Sequence, residues 1–212
     1  MRLMGVDPSL CNTGWAVIDV NEAGEFLVGC GVIVTKRGQK KLTATRCEDD
    51  MERIDSIAHG LVNAVKKYGV LMSAVEGRAG AQSARAAEAM SMAFATVMTA
   101  LLLGGVSRMI ISPQKAKMLV ANHIKGPSKK VIQEEVRYRL GKSAWDDRLK
   151  DFRPKTHEHI YDAAAVALAS LSHPALLYIR RKEMMENGAN DETIGVRNPD
   201  DLGSLHGPGR CG

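Results

Sequence analysis

Arg2 to Val6 is an apolar-leaning run that stops abruptly at Asp7-Pro8-Ser9, and this junction restricts the fold more than any other feature of the chain. Proline cannot donate to a ladder, so the run reads as a central strand that ends with a carboxylate at its carboxyl terminus. Two further runs, Trp15 to Asp19 and Phe26 to Val34, are separated by the turn-like Asn21-Glu22-Ala23-Gly24, which predicts three strands in hairpin succession. From Glu48 to Lys67 the residues Met51, Ile54, Ile57, Ala58, Leu61, Val62 and Val65 recur at three- and four-residue spacing, the period of an amphipathic helix. A short strand, Leu71 to Val75, then ends in Glu76-Gly77.

A long Ala- and Met-rich helix is expected over Ala81 to Leu103, followed by a strand from Arg108 to Ile111. Ser112-Pro113 is a helix start with a side-chain cap and a proline at the first helical position. Ser128 caps a further helix carrying Val131, Ile132, Val136 and Leu140, and His157 to Leu171 reads as another, with a last helical stretch after Pro174. Three meandering strands followed by alternating helices and strands predict an α/β fold with a mixed five-stranded sheet and helices on both faces. Residues 1–186 form one domain in this reading. Residues 187–212, rich in Gly, Asn, Asp and Pro, are expected to be a disordered acidic tail.

Charge and cysteine usage narrow the function classes. The net charge is +5, but from Lys182 onward the chain is −3, which leaves the body at +8 and suits a polyanionic partner. The four cysteines form no CxxC pair and have no histidine at zinc-ligand spacing, so neither a zinc site nor a redox motif is indicated. No export signal is read at the start, and a reducing cytoplasm is the expected compartment. The most apolar segment, Ala89 to Leu103, is shorter than the roughly 20 residues of a membrane span and is expected to be buried or at an interface, with no membrane partner.

Asp7 and Glu76 each follow a valine at the carboxyl end of a strand, where open α/β sheets bind ligands. If those strands are neighbours, a spacing of about 4.8 Å lets both carboxylates converge on one hard divalent cation. His159 and Asp162, three residues apart, share a helical face and offer further ligands or a proton-handling group. Taken singly, each has a plainer explanation as a turn, cap or dipole-complementing residue. Pro113 to Arg139 carries Lys115, Lys117, Lys125, Lys129, Lys130, Arg137 and Arg139 against Glu134 and Glu135, a pattern shared by solvated helix faces and phosphate-binding surfaces.

Together these residues resemble the RuvC-type Holliday-junction resolvases of the RNase H-like superfamily. Met4-Gly5-Val6-Asp7-Pro8-Ser9 with Asn12-Thr13-Gly14-Trp15-Ala16-Val17-Ile18 looks like that family's opening strand, turn and second strand, and Ala74-Val75-Glu76 its second acidic strand. Ser112 to Lys117 and Ser128 to Ile132 are similar to its lysine-bearing segments. His159-Ile160-Tyr161-Asp162-Ala163-Ala164 is similar to its last catalytic motif. The resemblance implies an RNase H-like homodimer that nicks four-way junctions with Mg²⁺, for which Mn²⁺ can substitute. Asp7, Glu76 and Asp162 would ligate the metal with His159 completing the site. Lys117 and Lys129 would contact DNA, with Lys115 and Lys130 as alternatives.

After Glu76 the sequence Gly77-Arg78-Ala79-Gly80 lacks the family's base-stacking aromatic, leaving Arg78 to contact phosphate or stack. With the acidic tail, this looks more like a phage-type member that also acts on Y-forks and flaps. Ala84, Ala87, Met90, Ala93 and Val97 form a stripe that serves either a dimer contact or the core. The opening also resembles the phosphate turn of actin-like ATPases, which duplicate the fold and need a second Gly-rich loop. A non-catalytic junction-binding protein is the remaining alternative.

Overall fold

The computed structural model describes residues 1–35, 45–77, 80, 82–122, 124 and 126–179. Arg78 and the tail 187–212 therefore lie outside the described residues. Five strands, β1 (Arg2–Asp7), β2 (Asn12–Asn21), β3 (Gly24–Val34), β4 (Met72–Glu76) and β5 (Ser107–Ile111), form one mixed sheet in the order β3-β2-β1-β4-β5. The first three run antiparallel in succession, whereas β1, β4 and β5 are parallel. Parallel neighbours need crossover connections, and helices α1 (Arg46–Tyr68) and α2 (Ala84–Leu103) provide them.

Alternation along each strand sorts the sheet into two faces. Met4, Val6, Val17 and Val75 join Ile57, Leu61, Val97 and Leu101 in one apolar cluster beneath α1 and α2. The residues between them on β1, β2 and β4 point the other way, toward α6 (His157–Ser170). Helices α3 (Pro113–Val120), α4 (Lys129–Arg139) and α5 (Lys142–Leu149) complete the unit, which runs from Met1 to Ser172. A second unit begins at His173, and its described part is helical over residues 174–179.

The caps at Ser112 and Ser128 accept hydrogen bonds from the backbone N–H groups of Lys115 and Val131, as the sequence predicts. Thr45 and Glu48 form a reciprocal capping box that starts α1. Helix α2 begins at Ala84, three residues later than expected, because Ser83 caps the Ala86 N–H. At 20 residues this helix is long and apolar enough by composition to cross a membrane, which corrects the shorter span read from sequence. Its Ala93, Val97, Ala100 and Leu101 nevertheless belong to the core beneath the sheet, as in the interior helix of a globular domain. The Ala84 to Val97 stripe accordingly divides: Ala93 and Val97 are core, and only Ala84 and Ala87 are exposed. Helix α5 was not anticipated, because its inward residues are few, chiefly Trp145 and Leu149.

Candidate functional site

Strand alternation and register place the first two acids side by side. Val6 pairs with Val75 across the parallel β1–β4 ladder, so Asp7 and Glu76 follow as neighbours at the carboxyl edge of the sheet, both on the α6 face. Helix α6 brings the rest. Its N-terminal turn lies directly on β2, close enough that a Cβ added at Gly14 would stand 2.1 Å from the His159 carbonyl oxygen. One turn further along, a Cβ at Gly5 would stand 1.9 Å from the Ala163 carbonyl oxygen. Both positions need a residue without a side chain, because helix backbone occupies the space.

Gly14 is the β2 partner of Asp7, so the close approach at Gly14 delivers His159 to Asp7. The His159 Nδ1–H donates to Asp7 Oδ2 at 2.8 Å. That bond raises the His159 pKa above its ordinary value, against the opposing effect of burial, with the negative charges of Asp7, Asp162 and Glu158 adding to it. With Nδ1 held, Nε2 is the ring nitrogen left to handle a proton.

The acids themselves are crowded. Glu76 is pushed up to about 8, first by burial, then by the charge of Asp7 and a hydrogen bond between the two carboxyls, then by Asp162, with Lys117 opposing. Asp162 is raised to about 6 by burial and by the charges of Asp7 and Glu158, while Lys129 and Lys117 pull it down. Carboxylates raised by burial and by neighbouring acids mark an excess of negative charge. Three hard oxygen donors and one imidazole are the donor set that Mg²⁺ or Mn²⁺ accepts, and the residues fit such an ion in chemistry and charge. Among the described residues, however, no three such donors are already gathered tightly enough to hold a cation; Asp7 is instead paired with His159.

The lysines separate by helix phase. Lys117 on α3 and Lys129 on α4 both act on the charge of Asp162, and Lys117 on that of Glu76. Lys115, two residues earlier on α3, is exposed on a different side of that helix. Lys130 is exposed and reaches Glu134 on its own helix at 4.0 Å. The structure thus favours Lys117 and Lys129 as the cations beside the acids.

Four contributors escaped the sequence reading. Gly5 and Gly14 had a readable signal, since glycine inside a strand marks close approach of another backbone. Glu158 forms an ion pair with Lys129, which lowers the glutamate's pKa. Buried Arg53 reaches the Leu10 carbonyl at 3.0 Å, Cys11 Sγ at 3.1 Å and Thr35 Oγ1 at 3.2 Å, fixing the turn that follows Asp7. Neither Glu158 nor Arg53 stands out in the sequence.

No protein-family model matches the chain. The crossover junction endodeoxyribonuclease RuvC of Prochlorococcus marinus (strain NATL2A) is 34% identical over 76 residues, covering 36% of this chain and 44% of that protein. In that match the chain spans less than half of its relative. The protein of the same name from Afipia carboxidovorans is 28% identical over 188 residues, covering 86% of this chain and 95% of that one. Among solved structures, Thermus thermophilus RuvC in complex with a Holliday junction substrate aligns with a TM-score of 0.66 at 22% identity, over 84% of this chain and 96% of that one. The yeast mitochondrial Holliday junction resolvase aligns at 0.58 and 15% identity, over 87% and 83%. At these identities the structures establish a common fold.

Proposed function

We propose that this chain is a RuvC-type member of the RNase H-like resolvases, a divalent-metal-dependent endonuclease that nicks branched DNA, four-way junctions above all. The observation that carries the reading is the meeting of Asp7, Glu76 and Asp162 from three separate elements, where the charge of Asp7 helps raise both Glu76 and Asp162, with Lys117 and Lys129 alongside.

Asp7, Glu76 and Asp162, completed by His159, would hold the ion. When bound, Mg²⁺, or Mn²⁺ in its place, supplies Lewis-acid stabilisation of the phosphoryl oxygens and a more acidic water. The rest is done by the chain. Lys117 and Lys129 present point charges to the phosphate backbone. His159, oriented through Nδ1 by Asp7, has Nε2 alone to offer, either as the ion's fourth ligand or, with the ion held by the three carboxylates, to give or take a proton. Glu158 holds Lys129 at the rim of the site. Pairs of nicks across a two-fold junction call for two such sites, so the active species in this reading is a homodimer. Y-forks and flaps present similar backbone branches and are proposed as further substrates.

The test is Mg²⁺-dependent cleavage of a labelled mobile four-way junction beside a flap, a Y-fork and linear duplex. Paired symmetric nicks in the junction are expected, lost in Asp7→Asn by at least about a thousandfold if metal binding and water activation fail together. Tight junction binding with every substrate left intact would replace the nuclease by a non-catalytic junction-binding protein. Light scattering on the same preparation checks the dimer.

A further inference from the structure

A groove of about 740 Å³ opens at the edge of the same end of the sheet, between the start of β2, the end of β3 and the segment joining α5 to α6. The volume lies in the range of sites that take a small organic ligand or one unit of a polymer. Asn12, two residues before the Gly14 that faces Asp7, forms one wall with its β3 partner Val34. On the opposite wall stand Phe152, Arg153 and Lys155, with Asp151 the acid among them.

These side chains combine an aromatic ring, two cations and an apolar strand edge. Phe152 is half-buried, while Arg153 and Lys155 are exposed. Neighbouring basic residues are engaged within the protein: Lys150 pairs with Asp147 at 2.6 Å, and Arg148 reaches the Val28 carbonyl at 3.5 Å. Val34 is 50% exposed although it lies in a strand.

The wall is also preorganised. The Phe152 N–H donates to the Leu149 carbonyl at 3.0 Å, and the Phe152 carbonyl accepts from His157 Nε2 at 3.0 Å. The Arg153 carbonyl accepts from both the backbone N–H and the hydroxyl of Thr156, each at 2.8 Å. His157 is the first residue of α6, two before His159. The position of the Phe152 wall is therefore tied to the element that carries the candidate catalytic histidine and aspartate.

Resting on the nuclease reading, we infer that this groove is a subsite for an unpaired nucleotide of the branched substrate. Its base stacks on Phe152 against Val34, and Arg153 and Lys155 contact the adjoining phosphates. An aromatic face accepts any base, and flanking cations track the backbone, which is how sequence-tolerant single-strand sites are built. The subsite supplies stacking from the α5–α6 segment, whereas the segment after Glu76 brings no aromatic residue.

The experiment measures binding by the full chain in Ca²⁺, where DNA is to stay intact, to a fork with an unpaired oligothymidine arm and to a blunt duplex of equal length. Wild type is compared with Phe152→Leu, which keeps apolar bulk, and with Arg153→Gln/Lys155→Gln. Phe152→Leu is expected to lose about tenfold in fork affinity, the order of one lost base stack, with little change on duplex. The double variant should reduce the slope of log affinity against log salt by about 1.4 on the unpaired arm, two phosphates' worth.

In the wild type, a 5-iodouracil placed in the arm should photo-crosslink to the peptide containing Phe152, a readout independent of whether any variant folds. Fork binding that is unchanged in Phe152→Leu, or crosslinks that map only elsewhere, would overturn the subsite and leave the nuclease reading standing. A wild-type chain that binds neither DNA would overturn both.

Discussion

Helices α2 and α6 are both rich in alanine and both lie on the sheet, yet they do opposite things. In α6 every residue from Ala163 to Ser170 is buried, and the helix backbone presses on Gly5 and Gly14. In α2 only Ala93, Val97, Ala100 and Leu101 are buried, and Leu102 and Leu103 are 56% and 80% exposed. Alanine at 163 and 167 is there for what it leaves out, since these residues meet Gly5 at backbone distance. Alanine in α2 is largely a helix former on a half-solvated surface. The difference explains why the site hangs on α6: only a helix seated that close can bring His159 within hydrogen-bonding distance of a strand carboxylate.

The sharpest way to break this contrast is to give the glycines a side chain. Gly5→Ala drives a methyl into the Ala163 carbonyl, and because backbone is the obstacle, the loss should reach or exceed the upper end of the ~1–3 kcal/mol typical of core overpacking. Gly14→Ala meets His159 in the same way and should cut cleavage even in the folded fraction, since it displaces the histidine from Asp7. Denaturant melts, with cleavage normalised to folded protein, separate the two outcomes. A Gly14→Ala protein of ordinary stability and full activity would show that the close approach is not required.

The next largest effect concerns the charge that α6 brings against the sheet. Glu76, raised to about 8, keeps its proton in the folded state across a pH range in which the unfolded chain has lost it. Stability of the metal-free protein must therefore fall as pH rises from the ordinary carboxylate value of about 4.3 to about 8, then level off. Asp162, raised to about 6, adds to the fall in the lower part of that window. His159 works in the same direction: its raised pKa gives stabilisation that is complete below about 6.5 and lost as pH passes the folded value.

Glu76→Gln should flatten this profile and raise Tm at pH 8 while removing activity. At this chain length each kcal/mol recovered is about 2–4 °C. Added divalent cation should stabilise wild type at pH 8 more than it stabilises the variant. A metal-free Tm that climbs with pH from 5 to 8 would contradict the crowding of the acids.

Much of this arrangement was legible in the sequence. Valine followed by an acid marked two strand ends, which the β1–β4 pairing then made neighbours; Ser112-Pro113 and Ser128 announced their helices; His159 and Asp162 lay at the spacing of one helical face. What stayed hidden depends on pairs far apart in the chain. Nothing local says that Gly14 sits beneath His159 or that Lys129 meets Glu158, and the preference for Lys117 over Lys115 came from the family resemblance, because the charge pattern by itself does not separate them. Helix α5 was hidden for another reason: Lys142 to Leu149 has too few apolar residues to set a period, and Trp145 is held from outside by Tyr161, with ring centroids 5.0 Å apart.

The smallest effect gives the finest test of what the two alanine-rich helices are for. Ala163 is fully buried at the Gly5 contact, whereas Ala95 is exposed on α2 beside the groove between α1 and α2. Valine at either position adds the same two carbons and loses the same few tenths of a kcal/mol in helix propensity, so any excess at one site reports the packing there. Ala163→Val should cost about 1–3 kcal/mol, and Ala95→Val should stay within about 0.5 kcal/mol of wild type. Equal losses would mean that α6 is not seated as closely as its glycine contacts require. A large loss at Ala95 that varies with protein concentration would instead mean that the exposed side of α2 is covered by a second copy of the chain, since only association makes stability depend on concentration.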